Sequence, residues 1–91
     1  MTLREFRIGV LLAVPIECRE DFFFTLTATA YYADYKPGYP VQTAGDFTIS
    51  YDIISGKCEL YSTINLGVTI PTIRHFNTFA DLRAELRNME V

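Results

Sequence analysis

Residues 22–40 read FFFTLTATAYYADYKPGYP, and the reading of this stretch decides how many strands the chain has and where its tyrosines point. Phe22, Phe24, Leu26, Ala28, Ala30 and Tyr32 fall on one parity, and Phe23, Thr25, Thr27, Thr29, Tyr31 and Tyr35 on the other. Alternation with period two is the signature of a half-buried strand. The first set is expected to face the core, and the threonine-rich set a solvated face that still suits a pleated backbone. On that reading Tyr32 packs inward, while Tyr31 and Tyr35 look outward. Lys36-Pro37-Gly38-Tyr39 then fits a type II turn, with proline setting φ at the first central position and glycine accepting a positive φ at the second.

A hairpin follows. Phe47, Ile49, Tyr51 and Ile53 alternate with Thr48, Ser50 and Asp52; later Cys58, Leu60, Ser62 and Ile64 alternate with Glu59, Tyr61 and Thr63. A Ser55-Gly56 loop would set Asp52 against Glu59, and like charges directly opposed are destabilising. A Gly56-Lys57 loop places Asp52 beside Tyr61 and Ile53 beside Leu60, with glycine where a type II′ turn requires it. The second register is therefore expected. Residues 68–73, VTIPTI, add a short strand that Pro71 confines to an edge or a strand end.

Both ends of the chain are apolar and patterned. In EFRIGVLLAVPIE the residues Phe6, Ile8, Val10, Leu12, Val14 and Ile16 alternate, which reads as a strand apolar on both faces toward its middle. A helix over residues 2–13 is the competing reading, weakened by Gly9 and by the β-branched Ile8 and Val10. At the other end Phe79, Leu82, Leu86 and Met89 form one apolar stripe, with Arg83, Glu85, Arg87 and Glu90 facing water. Thr78 and Asp81 form a cap, with Asn77 as the alternative. The expected fold is α+β: one domain over residues 1–91, an antiparallel sheet of four to five strands, and one C-terminal amphipathic helix packed on one face.

Composition narrows the function classes. The chain has 91 residues, 49 % of them apolar and 14 % aromatic, which is a folded domain with a thin core. A net charge of −3 with scattered Lys and Arg argues against direct binding of duplex nucleic acid. The apolar run Ile8–Ile16 is too short to span a membrane, and Glu17 before Cys18 spoils a lipoprotein-type cleavage site. The expectation is a cytoplasmic protein without membrane association. Cys18 and Cys58 read as buried free thiols, and two cysteines with one histidine cannot build a structural zinc site by themselves.

His75, next to Phe76, reads as a loop residue leading into the helix; a nucleophilic pair with Cys18 or Cys58 finds no support in the spacing. Five glycines stand singly, with no phosphate-cradling pattern, and no cofactor is expected. The tyrosine run is the remaining signal, because a ring that is apolar and a hydroxyl that stays wet are enriched at interfaces. The chain therefore reads as a small acidic, non-enzymatic protein-binding module, an inhibitor or adaptor acting by steric occlusion. The likeness to small binders encoded by mobile elements is one of type only. Its expected contact residues are Tyr31, Tyr35 and Tyr39, with Lys36 and Asp34 as rim charges. A homo-oligomeric assembly protein is the second reading, and a small enzyme using a cysteine with His75 the third.

Overall fold

The computed structural model describes residues 1–43, 45–62 and 72–88. Helix α1 (Leu3–Ala13) leads into a 3-10 helix (Ile16–Asp21), then strands β1 (Phe22–Leu26), β2 (Ala30–Tyr35), β3 (Phe47–Asp52), β4 (Cys58–Ser62) and β5 (Thr72–Phe76), and helix α2 (Phe79–Leu86). The strands form one antiparallel meander in the order β1-β2-β3-β4-β5. Helix α2 packs over β4 and β5 and against α1, which lies over β2. The α+β sheet with its C-terminal helix on one face is therefore the architecture, with a second helix beside it.

That second helix corrects the strand expected over residues 6–16. The Thr2 hydroxyl accepts the Glu5 N–H at 3.1 Å, and the Glu5 carboxylate accepts the Thr2 N–H at 2.9 Å. This reciprocal box satisfies donors that a helix start otherwise leaves open. Phe6, Val10 and Ala13 then share the buried face at helical spacing, although Phe6 and Val10 also share a strand parity. At the other end Arg19 Nε donates to the Leu11 carbonyl at 2.7 Å, a cation at a helix C-terminus.

The stretch expected as one long strand is two. The Thr27 hydroxyl accepts the N–H of Thr29 at 3.3 Å and of Ala30 at 3.1 Å, and the Thr27 N–H donates to the Ala30 carbonyl at 2.9 Å. A threonine hydroxyl thus closes a turn that carries no glycine, proline, Asn or Asp. The hairpin pairs Leu26 with Tyr31, Phe24 with Ala33 and Phe22 with Tyr35. Even residues of β1 consequently share a face with odd residues of β2. Tyr31 and Tyr35 turn toward the core and Tyr32 away from it, the reverse of the expected faces.

Two turns also differ. Tyr39 N–H bonds the Lys36 carbonyl as expected, but Gly38 does not have a positive φ, so the turn is not type II; the Tyr39–Pro40 peptide is cis. The β3–β4 pairing sets Ile49 opposite Leu60 and Tyr51 opposite Cys58, neither register weighed from the sequence. Asp52 stands across from Lys57, its N–H on the Lys57 carbonyl, and its carboxylate holds the N–H groups of Ile54 and Ser55. Gly56 takes φ +75° at the end of this longer loop, and Ile53 lies exposed in it. Opposite charges across the strand ends replace the like-charged pair that the shorter loop would impose.

Strand β5 (Thr72–Phe76) takes in the last two residues of the stretch 68–73 expected as a strand, and carries His75 on the sheet rather than in a loop. Residues 68–71, Thr63, Ile64, Met89 and Glu90, which figure in the sequence reading, lie outside the described residues. In α2 the Thr78 hydroxyl caps the Asp81 N–H at 3.1 Å, and Leu82 and Leu86 are fully buried. Arg83 does not simply face water: its Nε donates to the Gly9 carbonyl of α1 at 3.0 Å. Glu85 binds Arg74 of β5 at 2.6 Å. The core between helices and sheet is aromatic, with the Phe6 ring in contact with Phe24, Tyr31, Tyr51 and Phe79.

Candidate binding face

Side chains alternate across a sheet, so the face opposite both helices is set by the strand register. One row runs Phe23, Asp34, Thr48, Tyr61, Ile73 from β1 to β5; the next runs Thr25, Tyr32, Ser50, Glu59, His75. At the centre of the first row Thr48 Oγ1 donates to the Asp34 carboxylate at 2.6 Å. At its β1 end Phe23 meets the ring of Tyr39, whose loop folds back from the end of β2, at 5.1 Å between centroids. Phe23, Tyr39 and Ile73 are exposed, and Tyr32 and Tyr61 half-buried.

The face is acidic toward its middle. Asp34, Asp52 and Glu59 lie on it, with Lys57 and His75 as the basic groups, and His75 Nδ1 stands 3.4 Å from Glu59 Oε1. The backbone N–H groups of Ser55 and Ile54 hold the Asp52 carboxyl below the usual range. Beside the second row is an open depression of about 510 Å³, whose walls include Tyr32, Ser50, Lys57 and His75.

The residues expected to make contact separate into two groups. Tyr31 is 8 % exposed, and its hydroxyl donates to the Met1 carbonyl at 2.7 Å. Tyr35 packs between Phe22 and Phe47 and donates to Cys18 Sγ at 3.4 Å. Burial first, and the bond to the thiol second, push its hydroxyl up to about 12. Tyr39, by contrast, is 66 % exposed. Asp34 lies on the uncovered face, and Lys36 opens the turn that carries Tyr39.

Phe23 and Tyr61 were legible as outward residues from their parity, but nothing local in the sequence placed them in one row with Asp34, Thr48 and Ile73. Cys18 and Cys58 are free and buried; burial pushes the Cys58 thiol up to about 11. Cys58 faces the helices while His75 lies on the opposite face, and no Cys–His hydrogen bond occurs among the described residues. Also among the described residues, no group of three or more His, Cys, Asp or Glu is placed to hold a metal, and no helix is long and apolar enough to cross a membrane. Compared with protein-family profiles, with characterised proteins and with solved structures, the chain gives no match.

Proposed function

We propose that this chain is a non-catalytic protein-binding module, an inhibitor or adaptor that works by steric occlusion, and that it captures its partner on the uncovered face of the sheet. The observation that supports this reading is the row Phe23–Asp34–Thr48–Tyr61–Ile73 with Tyr39 against its end, aromatic at the flank and acidic at the centre. Burying the Phe23–Tyr39 pair supplies apolar area, and each ring can contribute a large share of an interface's energy. The carboxylates select a partner surface with basic groups at its rim, since complementary charge sets orientation and encounter rate. Tyr31 and Tyr35 act here as the rigid backing of the sheet rather than as contacts.

The test is differential capture by immobilised wild type, Phe23→Ser/Tyr39→Ala and the control Leu12→Lys, which alters the helix side. The expected result is a protein retained by the wild type and the control and lost from the double variant, all three keeping the same circular dichroism spectrum. Equal retention by all three would place the contact elsewhere.

A further inference from the structure

Helix α1 has an outer face that the core does not use. Ile8 is 47 % exposed, Leu12 62 %, and Ile16, at the start of the 3-10 helix, 73 %. Their spacing of four residues sets Ile8 and Leu12 on one ridge, opposite Phe6, Val10 and Ala13. The same ridge carries Arg4 one turn before Ile8, while Glu17 and Glu20 stand exposed at the other end. Arg7 is taken up over the Phe24 ring, and Arg19 by the Leu11 carbonyl. Arg4, Glu17 and Glu20 have no ion-pair partner among the described residues. The ridge is thus apolar in its middle and cationic at its start, and the 3-10 helix that follows it exposes two carboxylates.

We infer that this face binds a second copy of the chain, with α1 docked antiparallel on α1 about a two-fold axis. A two-fold contact requires a surface complementary to itself. An antiparallel pairing provides it: Ile8 meets Leu12 of the second copy, and Arg4 meets Glu17 twice, once at each end. The antiparallel helix dipoles also align favourably. The three apolar side chains offer roughly 300 Å² per copy, well below the roughly 800 Å² per partner of a standard stable interface. Association is therefore weak, with a Kd on the order of 100 μM, and depends on salt through its charged ends. The net charge of −3 and the two exposed carboxylates beyond the ridge count against an anionic lipid surface as the occupant. This contact lies on the opposite side from the proposed partner face, so the two stand or fall separately.

Analytical ultracentrifugation of the whole chain, from about 10 μM to about 1 mM and in about 20 mM and about 500 mM salt, reads this directly. The weight-average mass should climb from 10.4 kDa toward twice that value at low salt, and climb less at high salt. Leu12→Lys should abolish the rise; Arg4→Glu and Glu17→Arg should each weaken association about three- to thirtyfold. The combined charge swap should restore it to within about threefold, which general destabilisation cannot do. All positions are exposed, so unchanged circular dichroism serves as the folding control. A mass of 10.4 kDa throughout, a charge swap that fails to restore association, dimerisation lost in Phe23→Ser but kept in Leu12→Lys, or pelleting with phosphatidylserine vesicles would each overturn the proposal.

Discussion

Gly9→Ala is the substitution on which intuition and the structure disagree in sign. An alanine inside a helix is favoured over glycine by about 0.8–1 kcal/mol, so an isolated α1 would gain. In the folded chain the added Cβ would lie 2.5 Å from Phe79 Cε2 and 2.8 Å from Cζ. Ordinary carbon contacts are at about 3.5–4.0 Å, so something must move by about 1 Å. The Phe79 ring is confined by Phe6 at 5.5 Å and Tyr51 at 6.0 Å between centroids, which leaves it little room. Moving the helices apart instead stretches the Arg83–Gly9 hydrogen bond from 3.0 Å out of bonding range. Overpacking costs about 1–3 kcal/mol, and the hydrogen bond about 1 kcal/mol more, against the helix gain. The expected net loss is about 1–3 kcal/mol out of roughly 5–14 for a chain of this length. Urea unfolding followed by circular dichroism should show a lower midpoint at unchanged slope, and a melting temperature lower by about 4–24 °C. In a Phe79→Leu background, where the ring is gone, the same substitution should become neutral or stabilising. A Gly9→Ala protein more stable than wild type would refute the close contact of α1 with α2.

Leu82→Ala should cost about 2–5 kcal/mol, the usual range for a fully buried leucine, while Arg87→Ala stays within about 0.5 kcal/mol. Arg83→Ala should fall between them, at about 0.5–1.5 kcal/mol, because its guanidinium ties α2 to the Gly9 carbonyl; the same urea midpoints rank the three. In alkali, Tyr35 and Cys58 have folded pKa values raised from 10.0 to about 12 and from 9.0 to about 11. The folded state therefore holds these protons more tightly than the unfolded chain. Their contribution is fully present below the unfolded values and is lost as pH rises through the folded ones. Melting temperature should thus fall from pH 9 to pH 12, and less steeply in Tyr35→Phe; a flat profile over that window would contradict the burial of both groups.

Several elements were legible because their determinants lie within a few residues of each other. Helix α2 announces itself by the Thr78 cap and by the Phe79, Leu82 and Leu86 stripe, and the structure keeps both. The alternation of Phe47, Ile49 and Tyr51, and of Cys58 and Leu60, read from the sequence, is the side of β3 and β4 that meets the core. Helix α1 was the harder case, since Phe6 and Val10 satisfy both periods. The Thr2–Glu5 box was present in the sequence and decides it, by satisfying the N–H groups of the first turn.

The candidate face was less legible, because parity within one strand does not say which parity of its neighbour shares the same side. A turn at Thr27–Ala30 pairs Leu26 with Tyr31 and so carries Tyr31 and Tyr35 under the helices. Had the strand run straight through, both would have pointed out with the threonines. The sequence by itself determined an α+β architecture with a capped C-terminal helix, an aromatic core and a tyrosine-rich turn, since propensity, capping and apolar period act locally. Only the tertiary structure decided which tyrosines are backing and which are surface. That choice rests on hydrogen-bond register between strands and on the helix that covers one side of them, and both are contacts between residues far apart in the chain.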